Sequence, residues 1–253
     1  MRYFIEVSYK GANYAGFQIQ HNANTIQHEV ERALRIFFKQ HIKLTGSSRT
    51  DAGVHAKQNY FHADFATAIS PKVIFNLNAL LPADIAIKSI QQVADDAHAR
   101  FDAISREYLY HIYTFKDPFL HQTAWYYPYK IEMQSLHDAA ALLMNYTDFT
   151  SFAKRNSQVS THNCTITQSR WLLQQNSFVY QVQANRFLRG MVRGLVGTML
   201  QVSRGAMTLQ QFAEVIEAKD CTKANFSTPA HGLFLNAVTY PAGYFRVADG
   251  VTL

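Results

Sequence analysis

The feature that most constrains the fold is a period of two that opens each half of the chain. Over residues 2–9, Tyr3, Ile5, Val7 and Tyr9 point one way and Arg2, Phe4, Glu6 and Ser8 the other, which is the alternation of a β-strand. A second aromatic-rich segment, Arg106-Glu-Tyr108-Leu-Tyr110-His-Ile112-Tyr-Thr-Phe115, repeats the pattern. Further strands are expected over 57–65, 85–93, 166–174, 178–184 and 233–240. Asn24, with Gln27 three residues on, resembles a capping box. It precedes a helix whose apolar face is Ile26, Val30, Ala33, Leu34 and Phe37. Other helices are expected over 71–80, 135–145, 186–202 and 208–218. Strands and helices do not alternate regularly enough for a doubly wound parallel sheet. The expected class is α+β, with two related halves, 1–104 and 105–253.

The balance of residues supports a packed protein. Of 253 residues, 48% are hydrophobic and 17% charged, which supplies a core and too little charge for disorder. The net charge is +6, and such a surplus favours a polyanionic partner, nucleic acid or an anionic membrane. No stretch approaches the length of a membrane span, and no long apolar run near the N-terminus precedes a cleavage site, so no membrane association and a cytoplasmic location are expected. Two cysteines, Cys164 and Cys221, form no disulfide framework. The sequence has no Cys-x-x-Cys and no His-x-x-x-His, so nothing in it points to a metal site.

Two segments carry candidate chemistry. The first is Gly46-Ser-Ser-Arg49-Thr-Asp51-Ala-Gly53-Val-His55-Ala56. Its turn-forming residues make it a loop. An aspartate in such a loop commonly accepts backbone hydrogen bonds. A second reading is that Asp51 is a reactive carboxylate. In extended chain Arg49 and Asp51 share a face, and a neighbouring cation favours the ionised form needed by a nucleophile or base. Small neighbours, Ala52, Gly53 and Ala56, leave room for a planar substrate. The second segment is Asn185-Arg-Phe187-Leu-Arg189-Gly190-Met-Val-Arg193-Gly194-Leu-Val-Gly197. On a helix, Arg186, Arg189 and Arg193 form one stripe beside Gly190, Gly194 and Gly197. A glycine inside a helix costs about 1 kcal/mol against alanine, so three of them mark a place where a backbone or ligand comes close. On the 106–115 strand, Tyr108 and Tyr110 share one face and Leu109, His111 and Tyr113 the other. One row belongs in the core, while the other can offer a ring to an unpaired base.

Together these residues resemble the TruA-type tRNA pseudouridine synthases over essentially the whole chain. The resemblance rests on Arg49-Thr-Asp51-Ala-Gly53-Val-His55, His98-Ala-Arg100-Phe101 followed by Arg106-Glu-Tyr108-Leu-Tyr110, Asp148-Phe-Thr-Ser-Phe152, Asn185-Arg-Phe187-Leu188 with Met191-Val-Arg193, and Pro229-Ala-His-Gly232-Leu233. Ser48 stands where glycine is common in that family. The resemblance implies the pseudouridine synthase fold, a central, mainly antiparallel sheet flanked by helices. It implies isomerisation of uridine to pseudouridine at positions 38, 39 and 40 of the tRNA anticodon stem-loop by a homodimer, without cofactor or essential metal. In that scheme Asp51 is the catalytic nucleophile, Tyr108 stacks on the target uracil, Arg49 helps extrude the nucleotide, and Arg193 pairs with Asp51. Two rivals come from other classes. A non-catalytic RNA-binding module fits the charge and the aromatic strands. A glycosidase would commonly need a second carboxylate, and none stands near Asp51 in sequence.

Overall fold

The computed structural model describes residues 1–155, 159–174 and 177–245. The fold is α+β, as expected: nine strands and five α-helices among the described residues. The chain divides into two compact units, one of residues 1–104 with the chain from Ala237 onward, the other of Ser105–Asn236.

In the first unit, β1 (Arg2–Tyr9) lies between β4 (Ile85–Val93) and β3 (His55–Asp64), antiparallel to both, and the two-residue β2 (Thr45–Gly46) adds to β3. The alternation in β1 sets the register, with Ile5 opposite Phe61 on one side and Ile90 on the other. On the opposite face, shared with Arg2, Glu6 and Ser8, Phe4 is buried too, packed against Tyr60, Tyr240, Tyr244 and Phe245. The C-terminal segment covers that face of β1, and local periodicity carries no trace of chain arriving from so far away. Helix α1 (Ile26–Phe38) buries Ile26, Val30, Ala33 and Leu34. Its cap is Thr25, one residue later than expected, whose hydroxyl accepts from the His28 amide at 3.2 Å. Gln27 instead donates to the Leu44 carbonyl (2.9 Å) and Glu31 (2.8 Å). Helix α2 spans Val73–Leu80.

The second unit is built on β5 (Ser105–Tyr113), β8 (Ser177–Ala184) and β7 (Ile166–Gln174) in the order β5-β8-β7, all antiparallel, with β6 (Trp125–Tyr126) parallel to β5. Helices α3 (Met133–Leu142), α4 (Met191–Ser203) and α5 (Leu209–Glu217) pack with one another, and α3 also meets β7. Helix α4 is almost wholly buried, through Met191, Val192, Leu195, Val196, Met199 and Leu200 among others. The final strand, β9 (Leu233–Thr239), begins in the second unit and ends in the first. No helix among the described residues is long and apolar enough to cross a membrane.

One element needs correction. The helix expected over 186–202 starts only at Met191, because Gly190 adopts the left-handed conformation (φ 76°) and caps it. Arg186 and Arg189 lie in the preceding loop and only Arg193 lies on the helix, so the three arginines form no helical stripe. The apolar periodicity runs unbroken across residue 190, but a single positive φ breaks the helix.

Candidate active site

In the first unit the Asp51 loop is held from several sides. The Thr50 carbonyl accepts the Phe17 amide at 3.1 Å, and the Thr50 hydroxyl bonds the Tyr9 hydroxyl at 2.8 Å. Asn59, fully buried on β3, donates to the Ser48 carbonyl (2.9 Å) and to the Tyr9 hydroxyl (3.2 Å). The Ser47 amide donates to the Tyr60 carbonyl at 2.8 Å. Past the aspartate, the chain turns through Gly53 (φ 79°), and the Val54 amide donates to the Asp51 carbonyl at 3.2 Å. Gly11 closes the far end, its amide donating to Nδ1 of the buried His55 at 3.0 Å.

The loop therefore has a fixed inside and outside. Ser48 and Thr50 are buried, Arg49 is exposed and Asp51 is half-buried, the alternation of extended chain. Ser48 keeps a negative φ, so serine fits where the family often has glycine. Its hydroxyl, like that of Ser47, is buried and finds no hydrogen-bond partner among the described residues.

In the second unit the two tyrosines of β5 differ. Tyr110 is fully buried, its hydroxyl donating to the Pro229 carbonyl at 2.8 Å, and burial pushes its phenol well above the ordinary range. Tyr108 keeps a 9% edge to solvent and meets the Phe187 ring edge-on at 5.0 Å between centroids. Arg193, in the first turn of α4, is clamped reciprocally. Its Nε donates to the Thr228 carbonyl at 2.7 Å, and the Thr228 hydroxyl donates to the Arg193 carbonyl at 2.5 Å. The loop before α4 is anchored through Asn185, whose Oδ1 accepts the Thr165 and Arg186 amides, both at 2.8 Å.

The close approach expected at the glycines is met by the chain itself. A Cβ on Gly197 would lie 2.3 Å from the Asn225 carbonyl oxygen, and one on Gly194 2.8 Å from the Phe226 ring. Two residues escaped the sequence reading. Phe187 stood in the arginine segment with no role assigned to it, yet it is the neighbour of Tyr108. Thr228 had no local signal at all, since what marks it is contact with a residue thirty-five positions away. Among the described residues no group of three or more His, Cys, Asp or Glu side chains is placed to hold a metal.

Comparison with known proteins defines the class. The family profile described as tRNA pseudouridine synthase matches residues 5–102 and 139–241. A tRNA pseudouridine synthase A of Parabacteroides distasonis is 45% identical over 250 residues, 98% of this chain and 99% of that protein. One from Porphyromonas gingivalis is 43% identical, covering 96% of this chain and 99% of its own length. One from Staphylococcus carnosus is 35% identical, covering 94% and 90%. These are tRNA-modifying isomerases. The chain belongs to the tRNA pseudouridine synthase family.

Proposed function

We propose that this enzyme converts uridine to pseudouridine at positions 38, 39 and 40 of the tRNA anticodon stem-loop, with Asp51 as the catalytic nucleophile. The observation that carries the reading is the Asp51 loop. Its backbone is pinned by Phe17, Asn59 and Tyr60 and its Thr50 hydroxyl by Tyr9, while Asp51 stands half-buried next to an exposed arginine. A rigidly held nucleophile needs little reorganisation before reaction.

The chemistry exchanges the bond from C1′ to N1 of the uracil for one from C1′ to C5. No electrons leave the substrate and no water enters the product. The target base must first leave its stack, at a cost of a few kcal/mol. Tyr108 returns part of this by stacking, about 1–3 kcal/mol, and its edge contact with Phe187 fixes the ring plane. Arg49, exposed beside the nucleophile, takes the space of the extruded nucleotide. Arg193, anchored through Thr228, is assigned to pair with Asp51 and keep it ionised. In the same reading the enzyme acts in the cytoplasm as a homodimer.

Asp51→Asn tests the assignment. It should abolish pseudouridine formation in an unmodified tRNA transcript while leaving tRNA affinity within a few-fold. Turnover at the wild-type rate refutes the nucleophile. Tight binding with no product from the wild-type protein would favour a non-catalytic RNA-binding module, and release of free uracil would favour a glycosidase.

A further inference from the structure

The second unit carries a charged feature that the proposed chemistry leaves unused. A surface pocket of about 370 Å³ opens where the chain after Phe152 meets the turn that follows α5. Lys154, Arg155, His162 and Lys219 line it, and Asp220 is the acidic residue on its wall. We infer that this pocket seats a backbone phosphate of the tRNA substrate. The inference rests on the proposed reading of the chain as a tRNA-modifying enzyme.

Two of the cations, Lys154 and Lys219, are tied to their surroundings. The Lys154 amide donates to the Arg189 carbonyl at 2.9 Å, and its aliphatic stem lies across Gly190, where a Cβ would come within 2.9 Å of Cγ. Gly190 thus serves twice, supplying the positive φ that starts α4 and the bare surface on which Lys154 rests. Lys219 holds a left-handed backbone (φ 51°) just beyond α5, an uncommon conformation for a residue other than glycine.

The carboxylates nearby are already engaged. Asp220 accepts from the amide and hydroxyl of Thr222 at 2.9 and 2.8 Å. Asp148, at the edge of the cluster, accepts from the amide and hydroxyl of Thr150 and pairs with Lys219 at 2.9 Å. The Thr150 hydroxyl first, then Lys219, hold its carboxyl down at about 2. Both therefore stay ionised, Asp220 turned to its own loop and Asp148 shared between its own loop and Lys219. With Asp220 on the wall and Asp148 at the edge set against Lys154, Arg155 and Lys219, the site keeps a small positive excess. Among the described residues no phenylalanine, tyrosine or tryptophan lines it, so they offer a base little to stack on and a phosphodiester oxygen several donors. Phosphate contacts of this kind position an RNA without reading its sequence.

The test uses the full chain and an unmodified tRNA transcript. Lys154→Gln and Arg155→Gln, singly and together, remove charge while keeping the side chains' bulk. Dissociation constants are measured across a salt series, with turnover measured in parallel. The double variant should bind about tenfold more weakly near 0.1 M salt, and its log–log salt dependence should be shallower by about 1.5. KM should rise while kcat at saturating tRNA stays within about twofold. Unchanged affinity and salt slope in a double variant that melts like wild type would overturn the inference, as would a loss confined to kcat. If the wild type binds tRNA without isomerising it, the enzymatic reading fails and the binding comparison still decides the pocket. If the wild type does not bind tRNA, both fail.

Discussion

Replacing Gly11 by alanine tests whether the Asp51 loop is held as tightly as its contacts imply. A Cβ at Gly11 would sit 2.0 Å from the Val54 carbonyl oxygen and 2.7 Å from its carbon. Ordinary contact is about 3.2–3.5 Å, so the two backbones must part by more than about 1 Å, and no flexible side chain can absorb the shift. Overpacking of this kind costs about 1–3 kcal/mol. Parting them also breaks the bond from the Gly11 amide to His55 Nδ1, and an acceptor stranded in the interior costs about 1–3 kcal/mol more. A loss of about 3 kcal/mol is therefore expected, a large share of the 5–15 kcal/mol typical of a folded protein. Val54 is three residues past Asp51, so the same shift reaches the Asp51 loop; if Asp51 is the nucleophile proposed above, a misplacement of about 1 Å lowers turnover about a hundredfold. Gly205→Ala is the control. Its Cβ would meet nothing within 4 Å and only the positive φ (75°) is penalised, at about 1–2 kcal/mol. Urea midpoints and single-turnover pseudouridine formation measure both. If Gly11→Ala proves as stable as the control and turns over like wild type, the argument for a clamped loop is wrong.

Three further outcomes follow from the same geometry. Ser48→Ala deletes a buried hydroxyl that has no partner among the described residues; the melting temperature should hold or rise, and a loss above about 1 kcal/mol would mean the hydroxyl is satisfied after all. Tyr108→Phe should keep tRNA affinity near wild type, whereas Tyr108→Ala should weaken binding about tenfold through lost stacking, and equal affinities for the two would contradict the stacking role. His62 is buried and accepts the Ala99 amide at Nδ1. Burial first, then the charges of His98 and Arg2, hold its pKa down to about 4 against the opposing pull of Asp64 and Asp102. Above the ordinary value of 6.5 neither state carries the proton; between about 6.5 and 4 the unfolded chain binds it and the native chain does not. Stability should therefore fall as pH drops through that window, by on the order of 2 kcal/mol from pH 7 to 5. The gap in urea midpoint between wild type and His62→Gln should narrow accordingly, and a constant gap would count against the assignment.

What could be read in the sequence is what local pattern encodes. Strand β1, helix α1 and strand β5 announced themselves by period, because a half-buried element must repeat its apolar residues at its own pitch. The string around Asp51 was legible because tight turns and close approach demand particular small residues. The break at Gly190 was not, since the apolar face continues past it and only the backbone angle changes. The burial of Phe4 was not legible for a related reason: the rings that cover it arrive from residues 240–245. Thr228 and Lys154 were silent for the same reason, as each is defined by a partner more than thirty residues away.

The clamps on Asp51 and Arg193 share a design that explains this silence. In both places the chain is fixed through main-chain carbonyls: Ser48 and Thr50 in the first unit, Arg193 and Thr228 in the second. Every residue has such a carbonyl, so the accepting end leaves no mark in the sequence. Only a side-chain donor constrains residue type; Asn59 and Thr228 are ordinary residues in strand and loop, and Phe17 donates through its main-chain amide. At Arg193 the clamp also takes in the side chain, whose Nε is the donor to the Thr228 carbonyl. At residue 51 the main-chain carbonyl accepts the Val54 amide, and the residue stays half-buried beside the exposed Arg49. Thr50, next to it, turns inward instead, its hydroxyl bonded to that of Tyr9.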